Sequence, residues 1–126
     1  MIIGIGTDIV QIDRIRRVLE RRGRSFAERI LCSGELSIFD KKSMSESYLA
    51  KRYAAKEAAS KALGTGIGSI SWQDMEISND SRGGPVLTLK GAALQRMLKM
   101  GGTHVHLSLS DEKDFALAFV VLSGNG

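Results

Sequence analysis

Cysteine, proline, histidine and aromatic residues are all scarce in this chain of 126 residues, and each scarcity excludes something. The one cysteine, Cys32, rules out an internal disulfide, and with His104 and His106 as the only histidines no structural zinc set can be assembled. A reducing, cytoplasmic setting is expected. Aromatic residues make up 6%, and none falls among the arginines between Arg14 and Arg24, so the most basic segment lacks the platforms on which single-stranded bases stack. The single proline is Pro85, and no segment combines low hydrophobicity with high net charge, which argues against long disorder. No apolar run is long enough to span a bilayer. Met1-Ile2-Ile3-Gly4-Ile5 has no basic leader and is soon followed by Asp8, so it reads as a first strand rather than a signal peptide.

What is present fits one domain spanning residues 1–126, with 43% hydrophobic residues to fill one core and 25% charged residues to solvate it. The net charge of +4 is unevenly placed. Residues 14–29 hold seven arginines (14, 16, 17, 21, 22, 24 and 29) against Glu20 and Glu28, a local +5, while the remainder sums to −1. One surface is basic and the rest is balanced, which suits an acidic partner such as an acidic helix.

Hydrophobic spacing predicts mixed α and β structure. Ile9, Ile12, Ile15 and Leu19 recur at helical intervals with arginines between them, the pattern of a half-buried basic helix ending near Gly23. Further short helices are expected over 26–31 and 33–41. The strongest helical signal runs from Ser45 to Leu63, where Ala50, Ala54, Ala58 and Ala62 form a ridge of small side chains suited to close packing. Gly64 ends it, opening the loop Gly64-Thr65-Gly66-Ile67-Gly68. A strand, turn and strand follow over 75–89, then an amphipathic helix with Ala93, Leu94, Met97 and Leu98 that closes at Gly101. Val105, Leu107 and Leu109 alternate with His104, His106 and Ser108, a strand with one polar face. Residues 115–122 are apolar at every position, which predicts a central strand covered on both faces.

Asp8 and Glu57 are the candidate carboxylates, and each has two readings. Asp8 follows an apolar strand and precedes a helix, so it is either a helix N-cap or a magnesium ligand. Glu57 lies among alanines with Lys61 one turn on, so it is either half of an exposed i,i+4 ion pair or the second ligand. Were the two to converge, oxygen ligands with positions left for water would suit Mg²⁺ on phosphate oxygens. Lys56, Lys61 and the glycine loop are then candidates to bind those phosphates, although the loop is not a Walker-type phosphate loop and follows a helix instead of preceding one.

Taken together, Ile3-Gly4-Ile5-Gly6-Thr7-Asp8-Ile9-Val10, Phe26-Ala27-Glu28-Arg29-Ile30-Leu31, Arg52-Tyr53-Ala54-Ala55-Lys56-Glu57-Ala58-Ala59-Ser60-Lys61-Ala62, Gly64 to Gly68, Gly84-Pro85 and His106-Leu107-Ser108 carry a family likeness. The chain resembles the holo-acyl-carrier-protein synthases, the small bacterial class of 4′-phosphopantetheinyl transferases, over essentially its whole length. The resemblance implies an α+β fold in which an antiparallel sheet packs against a long central helix and shorter helices, assembled as a homotrimer with sites between subunits. It implies transfer of 4′-phosphopantetheine from coenzyme A to a serine of apo-acyl carrier protein, releasing adenosine 3′,5′-bisphosphate, in fatty acid biosynthesis.

The same resemblance implies roles for single residues. Asp8 and Glu57 would hold Mg²⁺ on the pyrophosphate, with Lys61 beside them as the third catalytic residue. Lys61, Gly64, Thr65, Gly66, Pro85 and His106 would line the coenzyme A site. Arg14, Phe26 and Arg29 would dock the carrier protein, while the general base stays open, a metal-bound or carboxylate-bound water near Glu35 being one candidate. Asp8 and Glu57 are expected to come from different subunits if sites lie between chains. Two positions depart from the commonest family form: Asp111 stands where many relatives have histidine, and Tyr53 where phenylalanine is usual. Neither a nucleic acid nor a membrane is an expected partner. Two rival functions remain, a Mg²⁺-dependent nucleotide hydrolase and a basic nucleic-acid-binding module.

Overall fold

The computed structural model describes residues 1–125. Its elements run β1 (Ile2–Gln11), α1 (Ile12–Arg22), α2 (Arg24–Ile30), α3 (Ser33–Lys41), α4 (Glu46–Ala62), a 3₁₀ turn (Trp72–Asp74), β2 (Met75–Asn79), β3 (Pro85–Leu89), α5 (Gly91–Lys99), β4 (Gly102–Asp111) and β5 (Phe115–Gly124). The α+β expectation holds. A three-stranded antiparallel sheet has the order β1-β5-β4, and β2 with β3 forms a separate antiparallel hairpin.

The long helix α4 lies across one face of the three-stranded sheet and supplies much of the core. The predicted alanine ridge is fully inside: Ala50, Ala54, Ala58 and Ala62 are all buried, together with Ala55 and Ala59. Small side chains matter here because the helix backbone comes almost into contact with β1. A Cβ on Gly6 would fall 2.1 Å from the Ala58 carbonyl oxygen, and one on Gly4 would fall 2.3 Å from that of Ala62. The two glycines and the ridge are therefore the two halves of one close contact. Ser45 caps the helix, its Oγ accepting from the Tyr48 N–H at 3.2 Å, and Gly64 at φ +75 breaks it.

Two sequence expectations are corrected. Asp8 is not a helix cap: β1 continues to Gln11, which is itself the residue preceding α1, and Asp8 pairs with Ala118 in mid-strand. The apparent helical spacing of Ile9 came from a strand residue followed directly by a helix. β5 is central as predicted but covered on one face only. Ala116, Ala118, Val120 and Leu122 are buried under α4, whereas Phe115, Leu117 and Phe119 on the other face are each about two-fifths exposed. Ile5 and Ile9, at 61% exposure each, extend that open apolar face onto β1.

Candidate active site

Strand periodicity decides where Asp8 points. In antiparallel pairing, opposed residues share a face, so the Gly4–Leu122, Gly6–Val120 and Asp8–Ala118 pairs all face α4. Gly4 and Gly6 draw the helix in, and Asp8, next on the same face, meets its flank. There Lys61 Nζ donates to Asp8 Oδ1 at 3.2 Å and to the Thr7 carbonyl at 2.9 Å. The predicted Glu57–Lys61 ion pair is thus replaced by one between Lys61 and Asp8.

Glu57, one turn before Lys61, is half-buried and close enough to Asp8 to feel its charge. Burial pushes its carboxyl above the ordinary glutamate range, and the negative charge of Asp8 adds to the rise; Lys61 and Arg14 oppose it. Two carboxylates crowded in this way, with a lysine already drawn to one of them, fit a bound cation. Among the described residues no group of three or more His, Cys, Asp or Glu side chains could hold a metal. The pair suits Mg²⁺, which keeps several waters and takes phosphate oxygens as further ligands. Within one chain Asp8 already lies close enough for its charge to act on the Glu57 carboxyl, so bringing the two together needs no second subunit.

Lys56 and Glu35 are not at this site. Successive helix residues point about 100° apart, so Lys56 cannot share the flank that presents Glu57. It is wholly buried on the opposite side, where Nζ donates to Glu35 Oε1 and to the Ile30 carbonyl, both at 2.7 Å. Glu35 is 1% exposed and also accepts from the Cys32 and Ile77 amides, at 2.8 and 3.0 Å. Lys56 is therefore no phosphate ligand, and Glu35 has no access to a reacting water.

The loop after α4 lies next to Lys61, but its amides are spoken for. The Gly64 N–H donates to the Lys61 carbonyl, and those of Thr65 and Gly66 to the Ser60 carbonyl. The Thr65 hydroxyl donates to the Gly66 carbonyl at 2.9 Å. These residues offer a shape beside the carboxylate pair, not a ring of free N–H groups. Arg96, absent from the sequence reading, secures the turn by donating to the Leu63 carbonyl at 2.9 Å.

Pro85 and His106 lie elsewhere in the same chain. β4 is the sheet edge opposite β1, and β3 packs beside it. His106 pairs with Val121 on the face turned away from α4, where its Nε2 lies 2.9 Å from Ser123 Oγ. His104 stacks beside it, with ring centroids 6.4 Å apart.

The basic helix delivers a usable groove. Arg14, Ile15, Val18, Arg21 and Arg22 of α1 line a hollow of about 200 Å³ with Phe26 of α2 and Tyr53 of α4. Several arginines of the cluster are internally neutralised: Arg16 with Asp13 and Glu20, Arg17 with Asp13, Arg24 with Asp40 and Glu28. Among the described residues Arg14, Arg21, Arg22 and Arg29 make no ion pair, so they are the charges left for a partner. Tyr53 stacks on Trp72 with centroids 5.3 Å apart and stands one turn before Glu57. Burial and then the Glu57 charge push its phenol above the usual range. Asp111, the other departure, lies 3.5 Å from Ser47 Oγ and 3.8 Å from Lys51 Nζ.

Residues 4–120 match the model of the 4′-phosphopantetheinyl transferase superfamily. Over 122 residues the chain is 54% identical to a holo-[acyl-carrier-protein] synthase of Photobacterium profundum, covering 96% of this chain and 97% of that one. With the enzyme of the same name from Vibrio parahaemolyticus the identity is 52% at the same coverage. Among solved structures, the holo-[acyl-carrier-protein] synthase of Neisseria meningitidis is 47% identical, with a TM-score of 0.89 over 98% of this chain and 99% of that one. The Helicobacter pylori enzyme in complex with coenzyme A is 37% identical, with a TM-score of 0.82 over 94% and 99% of the two chains.

Proposed function

The chain belongs to the 4′-phosphopantetheinyl transferase superfamily, and from that premise we propose that Asp8, Glu57 and Lys61 form the centre at which it transfers its group. It is a transferase that moves 4′-phosphopantetheine from coenzyme A to a serine of apo-acyl carrier protein. Fatty acid biosynthesis is the setting that needs such a carrier. The observation carrying the assignment of the centre is the shared turn of α4: Tyr53 lines the arginine groove, and Glu57, the next residue on that flank, lies within reach of the Asp8 charge.

In the transfer, the serine oxygen forms a bond to the phosphorus nearest pantetheine. The anhydride P–O bond breaks, the serine proton is lost, and adenosine 3′,5′-bisphosphate leaves. Positioning and charge neutralisation dominate such reactions. Asp8 and Glu57 would hold Mg²⁺, which when bound would neutralise charge on the anhydride. Lys61 adds a second positive charge at the same place, moving from Asp8 toward the phosphates. Thr65, Gly64 and Gly66 wall the nucleotide end. Arg14, Phe26 and Arg29 receive the acidic carrier, bringing its serine to the Tyr53–Glu57 turn.

Pro85 and His106 complete the nucleotide pocket from a neighbouring copy in a homotrimer. What supports this is the place of His106 on the edge strand β4, away from Asp8, with β3 packed beside it, together with the open apolar face of Ile5, Ile9, Leu117 and Phe119. A cytoplasmic location is supported by the single, buried, unpaired cysteine. No helix among the described residues is long and apolar enough to cross a membrane.

Incubation with coenzyme A, Mg²⁺ and an apo-acyl carrier protein tests the reading. The carrier should gain the mass of one phosphopantetheine, with one adenosine 3′,5′-bisphosphate released per carrier modified. Nucleotide release without carrier would establish the hydrolase instead. Tight oligonucleotide binding with an unmodified carrier would favour the nucleic-acid module.

A further inference from the structure

Helix α2 carries Phe26 and Arg29, yet it has only seven residues, too few to be stable by itself. Its position must be imposed from outside. Burial of Ala27 and Ile30 and the Arg24–Asp40 ion pair do part of this. The rest falls on the C-terminal carbonyls, which a helix cannot satisfy internally.

Gln73, in the 3₁₀ turn, meets that need. Its side-chain nitrogen lies 3.2 Å from the Glu28 carbonyl, 3.1 Å from that of Arg29 and 3.0 Å from that of Leu31, sharing its two hydrogens among them. The remaining carbonyl of this turn, Ile30, accepts from Lys56 Nζ at 2.7 Å. All four carbonyls are thereby engaged by two side chains. Lys56 places an ammonium at the helix C-terminus, where the backbone dipole favours a cation. It also stands immediately before Glu57 in α4. The end of the docking helix is tied by Lys56 to the helix that presents the catalytic carboxylate, and by Gln73 to the turn bearing Trp72, on which Tyr53 stacks.

We propose that Gln73, acting with Lys56, is a positioning residue for the transfer: it holds α2 in the place from which Phe26 and Arg29 bind the carrier protein. This rests on α2 being part of the docking surface, as assigned above. The Gln73 side-chain nitrogen is spent on these carbonyls and makes no hydrogen bond to Asp8, Glu57 or Lys61. Its side chain is exposed, so removing it lets water reach the carbonyls and leaves the core intact.

Gln73→Ala and Gln73→Met both remove the donors, and the second keeps the bulk. In steady-state assays at saturating coenzyme A and Mg²⁺, both should raise KM for apo-acyl carrier protein roughly threefold to tenfold, the range set by losing shared hydrogen bonds. Turnover at saturating carrier and the Kd for coenzyme A should stay at the parent values. Arg29→Ala is measured alongside. If it raises KM while both Gln73 variants leave KM unchanged, the positioning role is overturned and the docking surface stands. If Gln73→Ala raises KM and Gln73→Met does not, bulk and not donation matters, and the proposal falls. A loss of turnover with unchanged KM overturns it as well. If Arg29→Ala leaves KM unchanged, the docking reading falls and takes this inference with it.

Discussion

Lys61 and Asp8, 53 positions apart in the sequence, meet at 3.2 Å because two glycines on β1 let α4 lie against the strand. That pairing leaves the neighbouring Glu57 without a cation of its own. It sits beside an anion in a half-buried place, which is costly without a bound metal and useful with one.

Glu57→Gln tests this on two readouts. Transfer activity should fall by on the order of a hundredfold or more, since a charge stabiliser is removed with little change of shape. Stability should move the other way. Because folding raises the Glu57 carboxyl above its unfolded value, its contribution is fully present below the ordinary glutamate range and is lost as pH rises through the folded value. The metal-free Gln variant should therefore melt above the parent at pH 7, with the gap closing in acid. Added Mg²⁺ should raise the melting temperature of the parent and not of the variant. Near-normal turnover would remove Glu57 from the site.

Gly6→Ala should be severe although alanine suits a strand. Its Cβ would stand 2.1 Å from the Ala58 carbonyl oxygen and 2.7 Å from the Ala62 amide nitrogen, both backbone atoms. The helix must shift away from β1, at a cost of about 1–3 kcal/mol or more, carrying Glu57 and Lys61 off Asp8. Urea denaturation and the transfer assay should both register the change; a fully active, equally stable protein would contradict the close-contact argument.

For Lys56→Met the expected effect is on stability first. It strands Glu35, at 1% exposure, with Arg52 Nε 4.0 Å away as its one remaining cation among the described residues. Breaking a buried pair from one side costs about 3–5 kcal/mol, while removing both partners costs less than the sum of the single changes. A double-mutant cycle with Glu35→Leu, followed by denaturant melts, should give a coupling energy on the order of 1–3 kcal/mol. Additive effects would mean that the pair does not act as a unit.

Replacing Arg14 and Arg29 together should weaken carrier binding roughly tenfold at low salt and flatten its dependence on ionic strength, with coenzyme A binding unaffected. Both side chains are exposed and free of intramolecular ion pairs, so folding should be untouched. Binding isotherms at several salt concentrations would decide it, and an unchanged slope would exclude the docking role.

Leu117→Glu places a charge on the open sheet face. If that face is buried between copies, the variant should be monomeric by light scattering, still folded, and inactive, since His106 stands on the edge strand remote from Asp8. An active, stably monomeric variant would show that one chain suffices.

Much of this protein is legible in the sequence alone. The alanine ridge, the hairpin over 75–89, the helix over 33–41 and the order of α and β elements followed from local periodicity, because helix and strand spacing is a property of neighbouring residues. Local pattern also singles out Asp8, Glu57, Lys61 and the basic helix as candidates, while their roles come only as what the family resemblance implies. The errors came where one local pattern has two physical meanings. Ile9 fitted a helical repeat yet closes a strand, and an all-apolar β5 looked like a strand covered on both faces when one face is open.

What only the tertiary structure decided were the partners. Spacing alone offers Lys61 to Glu57 one turn away or to bound phosphates, and Asp8 to the start of a helix or to a metal; in the fold Lys61 and Asp8 pair with each other. Lys56 and Glu57 looked like members of one site, but adjacent positions on a helix diverge, and only packing reveals which side is the protein interior. Gln73 carries no motif at all. Its role exists because the fold brings a glutamine amide to the end of a short helix more than 40 positions away. Sequence determines which side chains are available and how each segment repeats. Which of them meet depends on close approach between segments distant in the chain, and here that approach is set by the absence of two side chains, at Gly4 and Gly6.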